Sequence, residues 1–337
     1  MPRHARRGAP RVIPESSIVL APLAGGPSTP ELAAAVSNAG GLGFLAAGYL
    51  TPDVFAGQLG RTRELSREPL GVNVFVLEEV AVDDEAVAAY ARELEPEARA
   101  RGVQLGEPRF DDDWLAEKLE VIVRADVDVV STTFGCLGAD IIERLQRSGT
   151  HVWATITAVH EARAARDAGV DALVVQGAEA GGHRGAWRDD GEPAQLHELL
   201  GSIDVGLPLV ATGGIADRET VRAALAAGAQ AAQIGTAFLL CPEAGTSEPH
   251  RRALRDGRET AFTRAFTGRS ARGIVNRFMV EHPDAPVAYP HIHHLTAPLR
   301  AAARAAGDSD GINLWAGVNY ARAEELPAAE IVANLGS

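Results

Sequence analysis

The sequence is poor in several things, and each shortage excludes a class of protein. Cysteine occurs twice in 337 residues, at Cys136 and Cys241, far apart and in apolar surroundings. No CxxC or Cys/His spacing is present, so neither a zinc site nor a disulfide framework is expected, and a reducing cytoplasm is the default setting. No apolar run reaches the ~18 residues that a membrane helix needs. Basic residues are outnumbered, 32 Lys and Arg against 45 Asp and Glu, for a formal net charge of −13. An acidic surface repels phosphate, which argues against nucleic acid or anionic membrane as the main partner. The one basic stretch, MPRHARRGAPR, opens the chain. It lacks the apolar segment of a secretory signal and is too short for an amphipathic transit helix, so residues 1–15 read as a flexible tail. Internal repeats and low-complexity tracts are absent as well.

What is present is an ordinary globular composition, 46% hydrophobic and 23% charged, in a chain long enough to bury a large core. Eight short β-rich runs alternate with helical patterns: IVLAPL (18–23), LGFLAA (42–47), LGVNVFV (70–76), VDVVSTTF (127–134), HVWATIT (151–157), ALVVQG (172–177), LPLVATGG (207–214) and AAQIGTAF (231–238). Several are apolar at consecutive positions, the pattern of parallel strands covered on both faces. Thr29-Pro30 and Thr51-Pro52 place a capping residue before a proline at the first helical position. Gly169 and Gly228 sit where helix-terminating glycines belong.

Eight strand–helix units predict an α/β fold, a (β/α)8 TIM barrel. The alternative, an open doubly wound sheet, would show GxGxxG after its first strand, and APLAGGPSTP lacks that spacing. The barrel is assigned to residues 16–257, with a charged helical insertion at about 83–124. Residues 258–337 are expected to form a mainly helical addition, a lid over the barrel mouth.

Function in such a barrel sits at the C-terminal ends of the strands. Strand seven ends in ATGG and strand eight in QIGT, so Gly213, Gly214, Gly235 and Thr236 are candidates for a phosphate site, aided by the following helix N-terminus. The plainer reading is that these glycines only make tight turns. Asn73, Thr155, Gln176 and Gln233 are polar residues inside apolar strands. They either pair with one another or together meet the donor–acceptor edge of a planar heterocycle such as a flavin. His183 stands in VVQGAEAGGHRG (174–185), after glycines that let the backbone pass close to a ligand. There it could act as a general base, with Glu179 and Arg184 orienting or screening it. The histidines of PHIHHL (290–295) have no supporting ligand at metal spacing and read as structural. The acidic runs at 111–113 and 324–325 read as solvated helix ends.

Together APLAGGPSTPELAAAVSNAGGLGFLAAGYL, GVNVF, QGAEAGGHRG, ATGGI, QIGTAF and FTGRSARGIVNRF resemble the nitronate monooxygenases, formerly called 2-nitropropane dioxygenases. The likeness runs from about residue 17 to 320. It implies a TIM barrel binding FMN, no metal, and a catalytic base at His183. It also implies flavin contacts at Asn73, Gln176, Gly181, Gly214 and the segment Gln233, Ile234, Gly235 and Thr236, with Ala21-Pro22 beneath the ring. The partners implied are a small nitronate or nitroalkane and O2; self-association into a homo-oligomer stays open. LWAGVN (314–319) departs from the family's usual LWAGQ on the substrate side. The rival within the superfamily is a flavin-dependent enoyl-acyl carrier protein reductase using NAD(P)H, and outside it a non-catalytic flavin-binding protein.

Overall fold

The computed structural model describes residues 13–336, so the basic stretch MPRHARRGAPR lies outside the described residues. Strands β1 (Ile18–Leu20), β2 (Gly43–Ala46), β3 (Leu70–Phe75), β4 (Val129–Thr133), β5 (His151–Ile156) and β6 (Ala172–Gln176) follow one another in parallel. A two-residue strand, β7 (Gly182–His183), then leaves the wall before β8 (Leu209–Thr212) and β9 (Ala231–Ile234) complete it. Strand β1 pairs with β9, and hydrogen bonds from Leu20 N to Leu42 O and from Leu42 N to Ile18 O close β1 onto β2. The result is a (β/α)8 barrel.

Each strand stops short of the run that announces it. Pro22 has no N–H to continue β1, Gly213 turns the chain at φ +120°, and Thr236–Phe238 coils into a 3-10 turn after β9. The helices begin as their caps dictate: Thr29 accepts from Leu32 N and Thr51 from Val54 N, each before a proline.

Side-chain alternation divides the wall into two faces. Ile18, Leu45, Val72, Val130, Leu173 and Ala232 pack outward with the helices in one core. Val19, Phe44, Val129, Trp153, Val174 and Val210 fill the barrel interior. One step further along the inward-facing positions, the residues turn polar: Asn73, Ser131, Thr155, Gln176, Thr212 and Gln233. Pairing keeps them level, with Asn73 opposite Ser131 and Gln176 beside Thr212 beside Gln233. An apolar plug therefore carries a polar rim.

The insertion after β3 contains two helices with separate allegiances. Leu119 and Ile122 of Leu115–Arg124 join the barrel core. Val87, Tyr90, Leu94 and Ala98 of Asp84–Arg101 join a second core above the mouth, with Phe266, Phe278, Ile292, Leu295 and Leu299. That second core is not wholly helical. Strands β10 (Thr260–Thr263) and β11 (Ala271–Ile274) form an antiparallel pair, and β7 joins it with His183 opposite Ala271. The last helix, Ala328–Gly336, returns to the barrel core through Ile331, Val332 and Leu335.

The acidic run at 111–113 differs from the solvated end its composition suggests. Positive φ at Asp113 and Trp114 (58° and 52°) turns the chain inward. Asp113 is buried 2.6 Å from Nζ of Lys118, the chain's only lysine, and its Oδ1 accepts the Tyr49 N–H at 2.9 Å. Burial pushes Asp113 up to about 6 and Lys118 down. The pair fixes the backbone of Tyr49, which also holds a positive φ of 68°.

Candidate active site

A cavity of about 520 Å³ opens above the polar rim, within the size range of small-molecule and cofactor sites. The structure brings Ala21, Pro22, Asn73, Thr155, Gln176, Gly181, His183, Gly213, Gly214, Gln233, Gly235 and Thr236 onto its wall. Ile234 is the exception and corrects the sequence assignment. It follows the inward-facing Gln233, so alternation turns it outward into the apolar core, where it is 1% exposed. Its carbonyl accepts the Ala21 N–H instead.

The rim amides are not equivalent. Asn73 Nδ2 donates to Ser131 O, Ser131 Oγ and Thr133 Oγ1 (3.2, 2.9 and 3.0 Å), which leaves its Oδ1 as the acceptor for a ligand. Gln176 spends both ends of its amide on the chain: Nε2 donates to His183 O (3.1 Å) and Oε1 accepts from Gly185 N (2.6 Å). It holds the histidine loop in place, a duty that the sequence did not reveal. Gln233 Nε2 is buried with no partner among the described residues, and an orphaned buried donor is costly unless a ligand meets it. A flavin edge fits this donor set: one free acceptor, one orphaned donor and a wall of small residues.

On the side of β8 and β9, Gly213 and Gly214 adopt φ of +120° and +69°. Thr236 Oγ1 accepts from Gly317 N at 3.1 Å, which leaves its hydroxyl hydrogen free to donate. The helix dipole expected here is already engaged. Asp217 caps Arg218–Ala226 by accepting from Thr220 N, so a carboxylate occupies that N-terminus. The fit to a phosphate rests on the glycine backbone and Thr236.

His183 reaches the cavity because its neighbours are small. A Cβ on Gly181 would lie 2.4 Å from the Ala316 carbonyl carbon, and Gly182 turns at φ +78°. The imidazole Nε2 lies 2.9 Å from Thr267 Oγ1. Phe134, Tyr289 and Trp315 surround it, with ring centroids 5.6–5.7 Å away. Burial, reinforced by Arg269 and Arg300, pulls its pKa down to about 3, so the ring is neutral at physiological pH. Neither residue expected to orient it does so. Glu179 accepts from Leu196 N at the start of Leu196–Ser202, and Arg184 donates to the carbonyls of Asp190 and Gly191.

Six wall residues were not singled out in the sequence, namely Tyr49, Phe134, Thr267, His293, Arg300 and Trp315, the last marked only through the LWAGVN segment. Four of the six, Thr267, His293, Arg300 and Trp315, lie after residue 258, where no periodicity marks a site, whereas Tyr49 and Phe134 follow β2 and β4. His293, part of the run read as structural, stacks on Tyr49 at 4.3 Å and faces the cavity. Among the described residues no cluster of three His, Cys, Asp or Glu has the arrangement of a metal site, and no helix is long and apolar enough to cross a membrane.

Comparison with known proteins agrees with this architecture. The sequence model of the family described as nitronate monooxygenase matches residues 11–337. A nitronate monooxygenase of Paraburkholderia phytofirmans is 39% identical, covering 95% of this chain and 91% of that protein. A probable nitronate monooxygenase of Staphylococcus aureus (strain JH9) is 36% identical over 95% of this chain and 93% of its own. Among solved structures, a nitroalkane oxidase from Streptomyces ansochromogenes superposes with a TM-score of 0.93 at 48% identity, covering 96% and 95% of the two chains. FabK from Thermotoga maritima gives 0.73 at 25% identity, over 96% and 92%. An enoyl reductase domain from Bacillus amyloliquefaciens, at 15% identity and a TM-score of 0.54, shares the fold alone. The identities favour the nitronate enzymes over the reductase alternative. The chain belongs to the nitronate monooxygenase family and is an oxidoreductase.

Proposed function

We propose that this protein oxidises small alkyl nitronates with O2 to a carbonyl compound and nitrite, using FMN, with propionate 3-nitronate as the leading candidate substrate. The observation that carries the reading is a neutral, cavity-facing His183 above a rim whose Gln233 donor has no partner among the described residues. Bound there, FMN would supply an acceptor for substrate electrons and a route for them to O2. Gly213, Gly214, Gly235 and Thr236 would hold its phosphate. Asn73 Oδ1 and Gln233 Nε2 would meet the ring edge, near Thr155. Gly181 and the Ala21-Pro22 backbone would allow close approach, and Gln176 would act by holding the His183 loop.

The surroundings of His183 bear on the form of substrate. Its partner is the hydroxyl of Thr267, not a carboxylate, so nothing in the first contacts favours an imidazolium. A neutral ring with so low a pKa is a weak base toward a neutral nitroalkane, but it can donate a hydrogen bond to an anionic nitronate oxygen. A nitronate has already lost its acidic proton, so the base role expected at His183 applies only to a neutral nitroalkane. Nitronates are therefore the better substrates.

The test is anaerobic addition of ethyl nitronate to the purified yellow protein, followed by admission of air. Bleaching of the flavin, then recovery with release of nitrite, is expected. His183→Asn should lower kcat/KM by roughly 10²–10⁴-fold for neutral nitroethane and by less for ethyl nitronate. A flavin untouched by nitronate yet bleached by NADH, with consumption of an enoyl thioester, would overturn the assignment.

A further inference from the structure

Arg300 is a buried cation that the reaction as described does not use. It lies on the helix His291–Ala305, is 9% exposed, and lines the cavity. Its Nε donates to Thr296 Oγ1 at 3.1 Å and its Nη2 to His293 O at 2.7 Å, with His293 Nδ1 at 3.3 Å. All of these acceptors are neutral. The charged or ionisable groups that act on it are Tyr49, Arg304 and Tyr289, and no carboxylate is among them.

Three partly buried arginines of the upper region are paired with carboxylates, and Arg272, which is not, lies off the cavity wall over the Phe262 ring and bonds the carbonyls of Ala178 and Thr260. Arg101 pairs with Glu97 and Asp308, Arg277 with Glu97 and Glu281, and Arg264 with Asp189. Arg269 is buried against the ring of Phe134 and bonds Ala186 O, away from the cavity wall. Burying a guanidinium without a counter-charge is expensive. Burial draws Arg300 down only to about 10, so it keeps its proton at neutral pH. Among the described residues no carboxylate pairs with this cation, which opens onto the ligand cavity.

Its position indicates which anion. His293, bonded to Arg300, stacks on Tyr49, and the His293 ring lies 6.3 Å from that of Tyr289. Tyr289 in turn lies 5.6 Å from His183. The rings of His293 and Tyr289 thus link the guanidinium to the imidazole. Tyr49 follows β2, and strands β1 and β9 stand between β2 and β8, so Tyr49 and the Gly213–Gly214 cradle stem from barrel strands separated by two others. A nitronate held at His183 would point its other end towards this cation.

We propose that Arg300 is a specificity-determining residue that binds a carboxylate on the far end of the substrate, so that the cavity prefers nitronates with an anionic tail to those with an alkyl tail. The proposal rests on the nitronate reading above, and its test separates the two. For the wild-type holoenzyme, Arg300→Met and Arg300→Lys, the measured quantity is the ratio of kcat/KM for propionate 3-nitronate to that for the nitronate of 1-nitropropane. One charge-assisted contact corresponds to a fall in this ratio of about 10–100-fold in Arg300→Met. Arg300→Lys should retain part of the preference, and it keeps the experiment decisive if the methionine variant does not fold. A ratio within twofold of wild type in both variants overturns the proposal.

Binding supplies a readout independent of turnover. Succinate has the shape of propionate 3-nitronate with a carboxylate replacing the nitronate, and butyrate is the matching analogue with an uncharged tail. Calorimetry should show the wild-type holoenzyme preferring succinate and Arg300→Met losing that preference. If neither nitronate is oxidised but this pattern holds, the reaction reading fails while the anion subsite stands. If both are oxidised and succinate gains nothing from Arg300, the subsite fails alone.

Discussion

The barrel and the structure above its mouth solve the problem of burial in opposite ways. The barrel interior is an apolar plug of Val19, Phe44, Trp153 and Val210, and its polar residues are confined to one rim. The upper core, built from 84–101 and 260–305, instead mixes stacked Phe266 and Phe278 with buried Arg269, Arg300 and His282. A wall of consecutive strands can satisfy its own backbone and needs no buried charge. The upper core is built on two long helices and a short antiparallel sheet, and it places titratable groups around a cavity. The difference suggests a division of labour, with the barrel rim holding a cofactor and the upper core choosing and orienting the substrate. His183 belongs to both: its loop is tied down by Gln176 of the barrel, while its backbone pairs with β11 and its ring meets Thr267.

The largest effect should come from breaking the upper core alone. Phe266 is fully buried, 4.8 Å from the Phe278 ring and 5.7 Å from that of Trp315. Phe266→Ala should cost about 3–5 kcal/mol of stability, measured by urea unfolding. If labour is divided, the folded variant keeps its flavin and shows a raised KM. Loss of the flavin in step with the upper core would mean that the two regions form one unit.

Acid should expose the same contrast. Burial lowers the pKa of His183 to about 3, of His250 to about 4, and of His293 well below its ordinary value. All three line the cavity. In the unfolded chain each takes up a proton near pH 6.5, whereas the folded protein resists protonation. Their contribution is therefore complete above pH 6.5 and is lost as pH falls towards the lowered values, at about 1.4 kcal/mol per pH unit for each histidine. The urea midpoint followed from pH 7 to pH 4.5 should show this decline, and His293→Gln should flatten its slope by one proton's share. An unchanged slope would show that His293 protonates freely in the folded state.

How much of this was legible in the sequence follows the same boundary. Strand runs such as VVQG and ATGG carry their own period and punctuation, so the barrel and most of its rim could be read directly. The miss at Ile234 came from carrying over a contiguous segment where alternation admits only every second side chain. Asp113 was misread because composition alone does not show that the chain turns inward at positive φ. Thr267, His293 and Arg300 come from a helix and a loop that acquire meaning only when folded across the mouth. Their sequence signal was a short FTGRS and a PHIHHL, neither periodic nor placed after a barrel strand. Local pattern predicts elements that bury themselves locally, and the upper core depends on long-range contacts.

The finest test of the division concerns Thr267, the contact between the upper core and His183. The Oγ1–Nε2 bond of 2.9 Å is the sole hydrogen bond described for the imidazole, and it selects which ring nitrogen carries the proton. Thr267 Oγ1 also lies 3.3 Å from Arg269 O and can donate there. Donation to Nε2 instead leaves Nε2 as the acceptor and puts the ring's proton on Nδ1, free to donate to a nitronate oxygen. Thr267→Val preserves the shape and removes this constraint. A neutral hydrogen bond is worth about 0.5–1.5 kcal/mol, so kcat/KM for a nitronate should fall about 3- to 10-fold. Flavin content should stay at the wild-type level, since no proposed flavin contact is touched. The pH profile carries the sharper information. Without its partner the imidazole is freer to take a proton, and the acid limb of kcat/KM should move to higher pH. A loss of rate with an unmoved acid limb would assign Thr267 to packing and place the control of His183 in the barrel loop alone.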